Sequence, residues 1–347
     1  MNKAKIYIAS GAQITAQAPL CDDWMTEPLR VDSDYAAAQD PDYRQFFPPN
    51  EARRLGKILK RAIVVSRRAM EQAGIAAPDA IITGTGFGCI ENTELFLKAL
   101  VNDGEEFLKP THFMQSTHNT ISSLIAINCG CHGYNSTYSH RHISFESALA
   151  DAFIRLRNGL NINALVGGHD ELTPDFHIML QRIDPLCAGR SFRSETAVAL
   201  MLTAQETPDV MCRLDNVETF YTTNVNELKH SLERFLASAG YGLDDIDAVM
   251  TGNNGGEANE RLYDYWYSEL FAEHKRLHYK HLFGESFTSP ASGVYVAATC
   301  LKNSLIPANL FMDESAAGQQ TGIRRILLYH QTENKNHSLI IVSKCGN

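Results

Sequence analysis

Residues 133–152 read GYNSTYSHRHISFESALADA, and residues 162–170 read INALVGGHD. A short run at residues 136–139 has strand character and is entered through Gly133 and Asn135. From Ile143 the apolar positions change period. Phe145, Ala148, Leu149, Ala152, Phe153 and Leu156 recur at helical spacing, which predicts a helix over residues 143–158 with one buried face, stopped by Gly159. A second strand over residues 162–166 then runs into the turn Gly167-Gly168. Strand, helix and strand in this order are the repeating unit of an α/β protein, and they set His142 at the start of the helix.

Outward from this unit the same alternation continues. Towards the N-terminus lie a strand over residues 5–9 and an irregular insertion over 21–50 holding Pro28, Pro41, Pro48 and Pro49. A helix over 51–73 follows, with Leu55, Ile58, Leu59, Ala62 and Val65 apolar and Gly74 closing it. A buried strand over 80–83 ends in the turn Thr83-Gly84-Thr85-Gly86-Phe87-Gly88, and helices follow over 92–102 and 119–128. Towards the C-terminus a second series begins, with strands over 212–220, 248–251, 325–329 and 338–343 and helices over 225–239, 259–272 and 292–303. No flexible linker and no short repeat separates the series. The chain therefore reads as two α/β halves, residues 1–205 and 206–347, sharing one core.

Composition narrows the function. Of 347 residues, 44% are hydrophobic and 20% charged, an ordinary globular balance that excludes wholesale disorder. The net charge of −9, from 31 basic and 40 acidic side chains, argues against a nucleic-acid partner, because little would release counterions from phosphate. No apolar run approaches the roughly 20 residues of a membrane helix. The opening MNKAKIYIASG resembles a strand more than a signal-peptide core, so the expected location is the cytoplasm. The cysteines at 21, 89, 129, 131, 187, 212, 300 and 345 form no CxxC pair and are too scattered for a disulfide framework; they read as reduced, buried thiols.

Three local signals resolve to ordinary structure. The glycine-rich turn after residue 83 lacks GxGxxG spacing and reads as a tight packing turn rather than a dinucleotide site. His132, His140 and His142 lie near Cys129 and Cys131, but no carboxylate falls at a ligand spacing, so neither metal nor cofactor is expected. The basic stretch of Arg53, Arg54, Lys57, Lys60, Arg61, Arg67 and Arg68 is either a solvated helix face or a dock for an acidic partner.

The segment from Gly133 to Ala152, with Leu165-Val166-Gly167-Gly168-His169-Asp170, resembles the β-ketoacyl synthase family. Other pieces resemble that family in order along nearly the whole chain: Arg53-Arg54-Leu55, Phe113-Met114-Gln115-Ser116-Thr117-His118-Asn119, Ser191-Phe192-Arg193-Ser194-Glu195-Thr196-Ala197-Val198, and Tyr279-Lys280-His281-Leu282-Phe283-Gly284-Glu285. The resemblance implies a thiolase-like, five-layered αβαβα sandwich of two related halves, normally dimeric. It implies a dimer edge at residues 113–128 and 136–139, and gives the basic helix an acidic partner, acyl carrier protein, with Arg53, Arg54, Lys57, Lys60 and Arg61 as docking residues.

The departures from the family carry the functional expectation. Its nucleophilic Cys position falls on His142, its first histidine on Gly252 or, with a gap, Asn253, and its second on Glu285; Lys280 alone is retained. Its C-terminal glycine-rich loop is replaced by residues 330–337, HQTENKNH. An acyl-imidazole at His142 is readily hydrolysed and makes a poor store, and a carboxylate at 285 repels a developing enolate. His142, Lys280, Glu285 and Asn253 are thus positional equivalents of the active site, predicted to be non-catalytic. His142, Glu285 and Lys280 are further expected to form one compact polar cluster filling the old site. These losses resemble those of the chain length factors, which lack the Cys and pair with an active ketosynthase in polyketide or polyene synthesis. The alternatives are an active 3-oxoacyl-carrier-protein synthase or acyltransferase using His142 with Glu285 and Lys280, and a malonyl decarboxylase or acyl-binding protein; the dimer partner is an active ketosynthase or a second copy of the chain.

Overall fold

The computed structural model describes residues 4–105, 108–183, 191–255, 257–312 and 321–346. Cys187 and the rest of the segment 184–190 lie outside them. The first series runs β1 (Ile6–Ile14), β2 (Tyr35–Ala36), α1 (Pro49–Ala52), α2 (Lys57–Ala73), β3 (Ala80–Gly84), α3 (Ile90–Asp103), α4 (Pro110–Gln115) and α5 (Thr120–Cys129). It continues through β4 (Tyr134–Tyr138), α6 (Ser144–Arg157), β5 (Asn163–Asp170), α7 (Pro174–Ile183), β6 (Arg193–Ser194) and β7 (Thr196–Thr203). The second series is β8 (Cys212–Tyr221), α8 (Val225–Ala239), β9 (Ala248–Thr251), α9 (Glu257–Tyr265), β10 (Lys275–His278), α10 (Lys280–Phe283), α11 (Pro290–Asn303), β11 (Arg325–Thr332) and β12 (Asn336–Ser343).

The main sheet has the order β10-β9-β11-β12-β8-β1-β7-β5-β3-β4. Its two five-stranded parts share one topology. In the first, β3 runs parallel to β4 and β5, and β7 runs antiparallel to β5 and β1. In the second, β9 runs parallel to β10 and β11, and β12 runs antiparallel to β11 and β8. The parts meet where Ile6, Tyr7 and Ile8 pair with Leu214, Arg213 and Cys212. The repeat is one of strand order, which a search for sequence periods does not detect.

Alternating side chains build the layers. On β3, β5 and β7, Ile82, Val166 and Leu200 enter a central core, while Ile81, Leu165 and Ala199 face an outer core under α2 and α5. On β9, β11 and β12, Met250, Leu328 and Ile340 join the same central core, while Val249, Leu327 and Ile341 face a second outer core with α8. Helices α6 and α11 fill the centre, giving the αβαβα sandwich of the thiolase-like fold. A register shift between Ile8 and Ser10 lets β1 serve two layers: Ile6 and Ile8 point to the central core, Ala12 and Ile14 to the outer one.

Two local expectations are corrected, and one strand was not foreseen. The helix foreseen over 51–73 is two: α1 ends at Ala52, and α2 starts at Lys57 after Gly56, where a Cβ would approach Asn92 Nδ2 to 2.7 Å. The Gly167-Gly168 pair is not a turn but the interior of β5. A Cβ on Gly168 would lie 2.6 Å from that of Ala291, so glycine here lets the strand touch the start of α11. Strand β7, TAVALMLT, gave no alternating signal because both its faces are buried.

Candidate active site

His142 lies in a 3₁₀ turn, Arg141–Ile143, directly ahead of α6, where the sequence placed it. Arg141 adopts φ 53°, in the left-handed region, so the chain turns sharply between β4 and the helix. The Ser144 hydroxyl holds this elbow, donating to the Arg141 carbonyl (2.6 Å) and accepting from the His140 N–H (2.8 Å). Gly84 makes room for it, since a Cβ there would come within 2.5 Å of Ser144 and Phe145 backbone atoms. All six residues of the foreseen helix stripe are buried in the central core.

The imidazole of His142 packs edge-on against Phe287, with centroids 4.2 Å apart. Desolvation pushes its pKa down to about 4; Glu285 opposes this, and His330, Lys280 and Arg193 reinforce it. The ring is therefore neutral near pH 7.

Glu285 follows α10 at the Gly284 turn and is buried, its backbone pinned by hydrogen bonds to Phe192 and Ser194. Its Oε2 accepts from Lys280 Nζ (2.6 Å) and Asn254 Nδ2 (2.9 Å), and its Oε1 accepts from Ser289 Oγ (3.2 Å). Burial raises the carboxyl's pKa, but the Lys280 charge, then His142 and His330, outweigh it and hold the group at about 2. The foreseen three-member cluster is joined by hydrogen bonds only in part. Lys280 and Glu285 form a buried pair, but among the described residues no hydrogen bond or ion pair joins His142 to Glu285.

Nor is the old site filled. A chamber of about 660 Å³ opens in front of His142, bordered by Phe87, Phe176, Leu180 and Phe287 on its apolar side and by Arg193, Asn254, Lys280, Glu285 and His330 on its polar side. No described cysteine lines it, and no group of described residues is arranged to hold a metal ion. Burial raises the thiol pKa of Cys21, Cys89, Cys129, Cys212, Cys300 and Cys345.

Two further expectations are revised. Asn253 does not border the chamber; its side chain accepts from Thr251 Oγ1 (2.8 Å), and the next residue, Asn254, reaches Glu285 instead. Arg61 is no docking residue, because it is 2% exposed and bonds to Asp40 (2.6 Å) and Glu195 (2.9 Å). Arg53, Arg54 and Lys57 are exposed, and Lys60 lies over the Tyr43 ring. The glycine-rich turn is a packing turn as read: Asp170 Oδ1 accepts from Thr85 Oγ1 and from the Gly86 and Phe87 N–H groups.

The sequence reading missed a second buried couple beside the chamber. His330 on β11 and Glu146 on α6 are hydrogen-bonded at 2.9 Å. Glu146 stands four residues after His142, in the first turn of α6, close enough in sequence to have been marked. Nothing in the sequence pairs it with His330.

An elbow histidine, a Lys280–Glu285 pair and a chamber between two like-folded halves define a ketosynthase-type protein on a thiolase-like scaffold. The chain belongs to the β-ketoacyl synthase family: the family model "Beta-ketoacyl synthase, N-terminal domain" matches residues 23–240. No curated protein matches the sequence. Among solved structures it is similar to the ishigamide ketosynthase/chain length factor, with 14% identity, TM-score 0.84, and 99% of this chain and 100% of that one covered. It is also similar to the ketosynthase (ApeO) in complex with its chain length factor (ApeC) from Xenorhabdus doucetiae, with 14% identity, TM-score 0.80 and coverage of 99% and 98%. A third, a type II polyketide acyl-carrier protein in complex with its ketosynthase bound to the hexaketide (AntDE:AntF), has 14% identity, TM-score 0.76 and coverage of 99% and 100%.

Proposed function

We propose that this chain is the non-catalytic, chain-length-factor-like subunit of a ketosynthase pair in polyketide or fatty-acid synthesis, with residues 1–205 and 206–347 as its two halves. One observation carries the reading. At the position from which the family donates to an enolate stands Glu285, ionised and with both oxygens already engaged by Lys280, Asn254 and Ser289. Such a group opposes the negative charge that decarboxylative condensation must develop. The chamber then serves as room for an acyl chain rather than as a reaction site.

The partner is an active ketosynthase. Strand β4 ends the sheet, and nearby Phe113, Met114 and Ile127 are 59%, 71% and 76% exposed, an apolar surface of the kind a permanent partner covers. Arg53, Arg54 and Lys57 supply the exposed positive charge for an acidic carrier protein. Incubating the pure chain with acyl- and malonyl-carrier protein tests the proposal: neither β-ketoacyl product nor CO₂ should form, and product formation abolished by His142→Ala overturns it.

A second reading, acyl transfer through His142, is favoured by the chamber reaching a neutral imidazole with no hydrogen bond among the described residues. A mass increase of one acyl group on the chain, absent in His142→Ala, supports it.

A further inference from the structure

Glu146 is 0% exposed, yet only its Oε1 is engaged, accepting from His330 Nδ1 (2.9 Å) and Ser338 Oγ (3.0 Å); Oε2 is buried with no protein partner. A carboxylate oxygen facing Nδ1 fixes that nitrogen as the donor and leaves Nε2 with its lone pair. The His330 ring borders the chamber, and its Nε2 has no hydrogen-bond partner among the described residues. The ring owes its position to Gly252: a Cβ there would stand 2.5 Å from His330 Cδ2, the carbon next to Nε2. An imidazole carried by β11 thus lies against the backbone of Gly252, one of the two residues, with Asn253, that the resemblance offers for the family's first histidine. His330 is also close enough to act electrostatically on both His142 and Glu285.

The polar neighbours sort by what they can offer a ligand. Lys280 spends one N–H donor on Glu285, and Glu285 already accepts from Lys280, Asn254 and Ser289. Nε2 is an acceptor presented to the chamber, where a ligand O–H can donate to it. We propose that His330, oriented by Glu146, is a specificity residue that accepts a hydrogen bond from a hydroxyl of the acyl chain in this chamber. The class it selects is a hydroxylated acyl thioester, of which the 3-hydroxyacyl form serves as the probe. This rests on the reading that the chamber holds an acyl chain.

The experiment measures binding of two probes to the full chain, 3-hydroxyoctanoyl- and octanoyl-N-acetylcysteamine. The wild type should bind the hydroxylated probe about five- to tenfold more tightly, the usual worth of one net hydrogen bond. His330→Phe should remove the preference, read as the ratio of the two probes' affinities on the same variant. Gly252→Ala, which retains the imidazole but pushes it aside, should reduce the preference. Equal wild-type affinities, or a preference that survives in His330→Phe, overturn the proposal while leaving the chamber an acyl site. Binding of neither probe overturns both. The wild-type comparison needs no variant, so misfolding of a variant cannot decide the outcome.

Discussion

Replacing Lys280 by methionine isolates the energetics of the buried pair. The ammonium and the Glu285 carboxylate are 2.6 Å apart, with their side chains 2% and 3% exposed. Methionine keeps most of the stem's packing and removes the charge, stranding an ionised group whose remaining donors are Asn254 and Ser289. Breaking a buried pair from one side costs about 3–5 kcal/mol. The pH dependence gives an independent measure. Glu285 is depressed from an ordinary 4.5 to about 2, so its contribution to stability is fully present above 4.5 and is lost as pH falls towards 2. That difference corresponds to about 3 kcal/mol. Urea unfolding at pH 7 should show Lys280→Met less stable by several kcal/mol, and Lys280→Met/Glu285→Gln should regain at least half of the loss. Between pH 5 and pH 2 the double variant should lose less stability than the wild type. A loss below about 1 kcal/mol in the single variant, or no recovery in the double, would show that Glu285 is not sustained by Lys280.

His142 should remain neutral on titration down to about pH 4, read from its ring resonances by NMR; a midpoint near 6.5 would mean that solvent reaches the ring freely. No cysteine should be labelled stoichiometrically by a ketosynthase-directed electrophile at neutral pH, and rapid modification of a single thiol refutes the assignment of these thiols as inert. Arg61→Ala should destabilise the fold by several kcal/mol by leaving buried Glu195 uncompensated, whereas Arg54→Ala should leave stability within about 0.5 kcal/mol and weaken carrier-protein binding. Equal effects of the two on stability contradict the difference in their burial.

Where burial has a period, the sequence showed it. The stripe from Phe145 to Leu156 and the elbow at His142 were legible because one face of a helix is buried and the other is not. β7 was not legible, since a strand buried on both faces loses its alternation. The basic run from Arg53 to Arg61 looked uniform, yet burial divides it: Arg61 faces inward to Asp40 and Glu195, carboxylates from segments far along the chain. His330 and Glu146 are 184 residues apart and meet only through the packing of β11 against α6. Of the two residues the resemblance offered for one family position, Gly252 borders the chamber and Asn253 does not, because the backbone leaves the strand after β9 and a turn sets no alternation that an alignment could follow.

The repeated strand order places α6 and α11 as counterparts, α6 between β4 and β5 and α11 between β10 and β11. Both begin at the same place: His142 precedes α6, while Ser289, just ahead of α11, donates to Glu285. Each half by itself therefore supplies only one wall of the chamber. Severing the chain between the halves would leave two fragments with their own strands and helices but no cavity, and any ligand that fills it binds the halves to each other. Occupancy is then a clamp across the molecule. A bound acyl chain should raise the unfolding temperature of the whole molecule, both halves melting together.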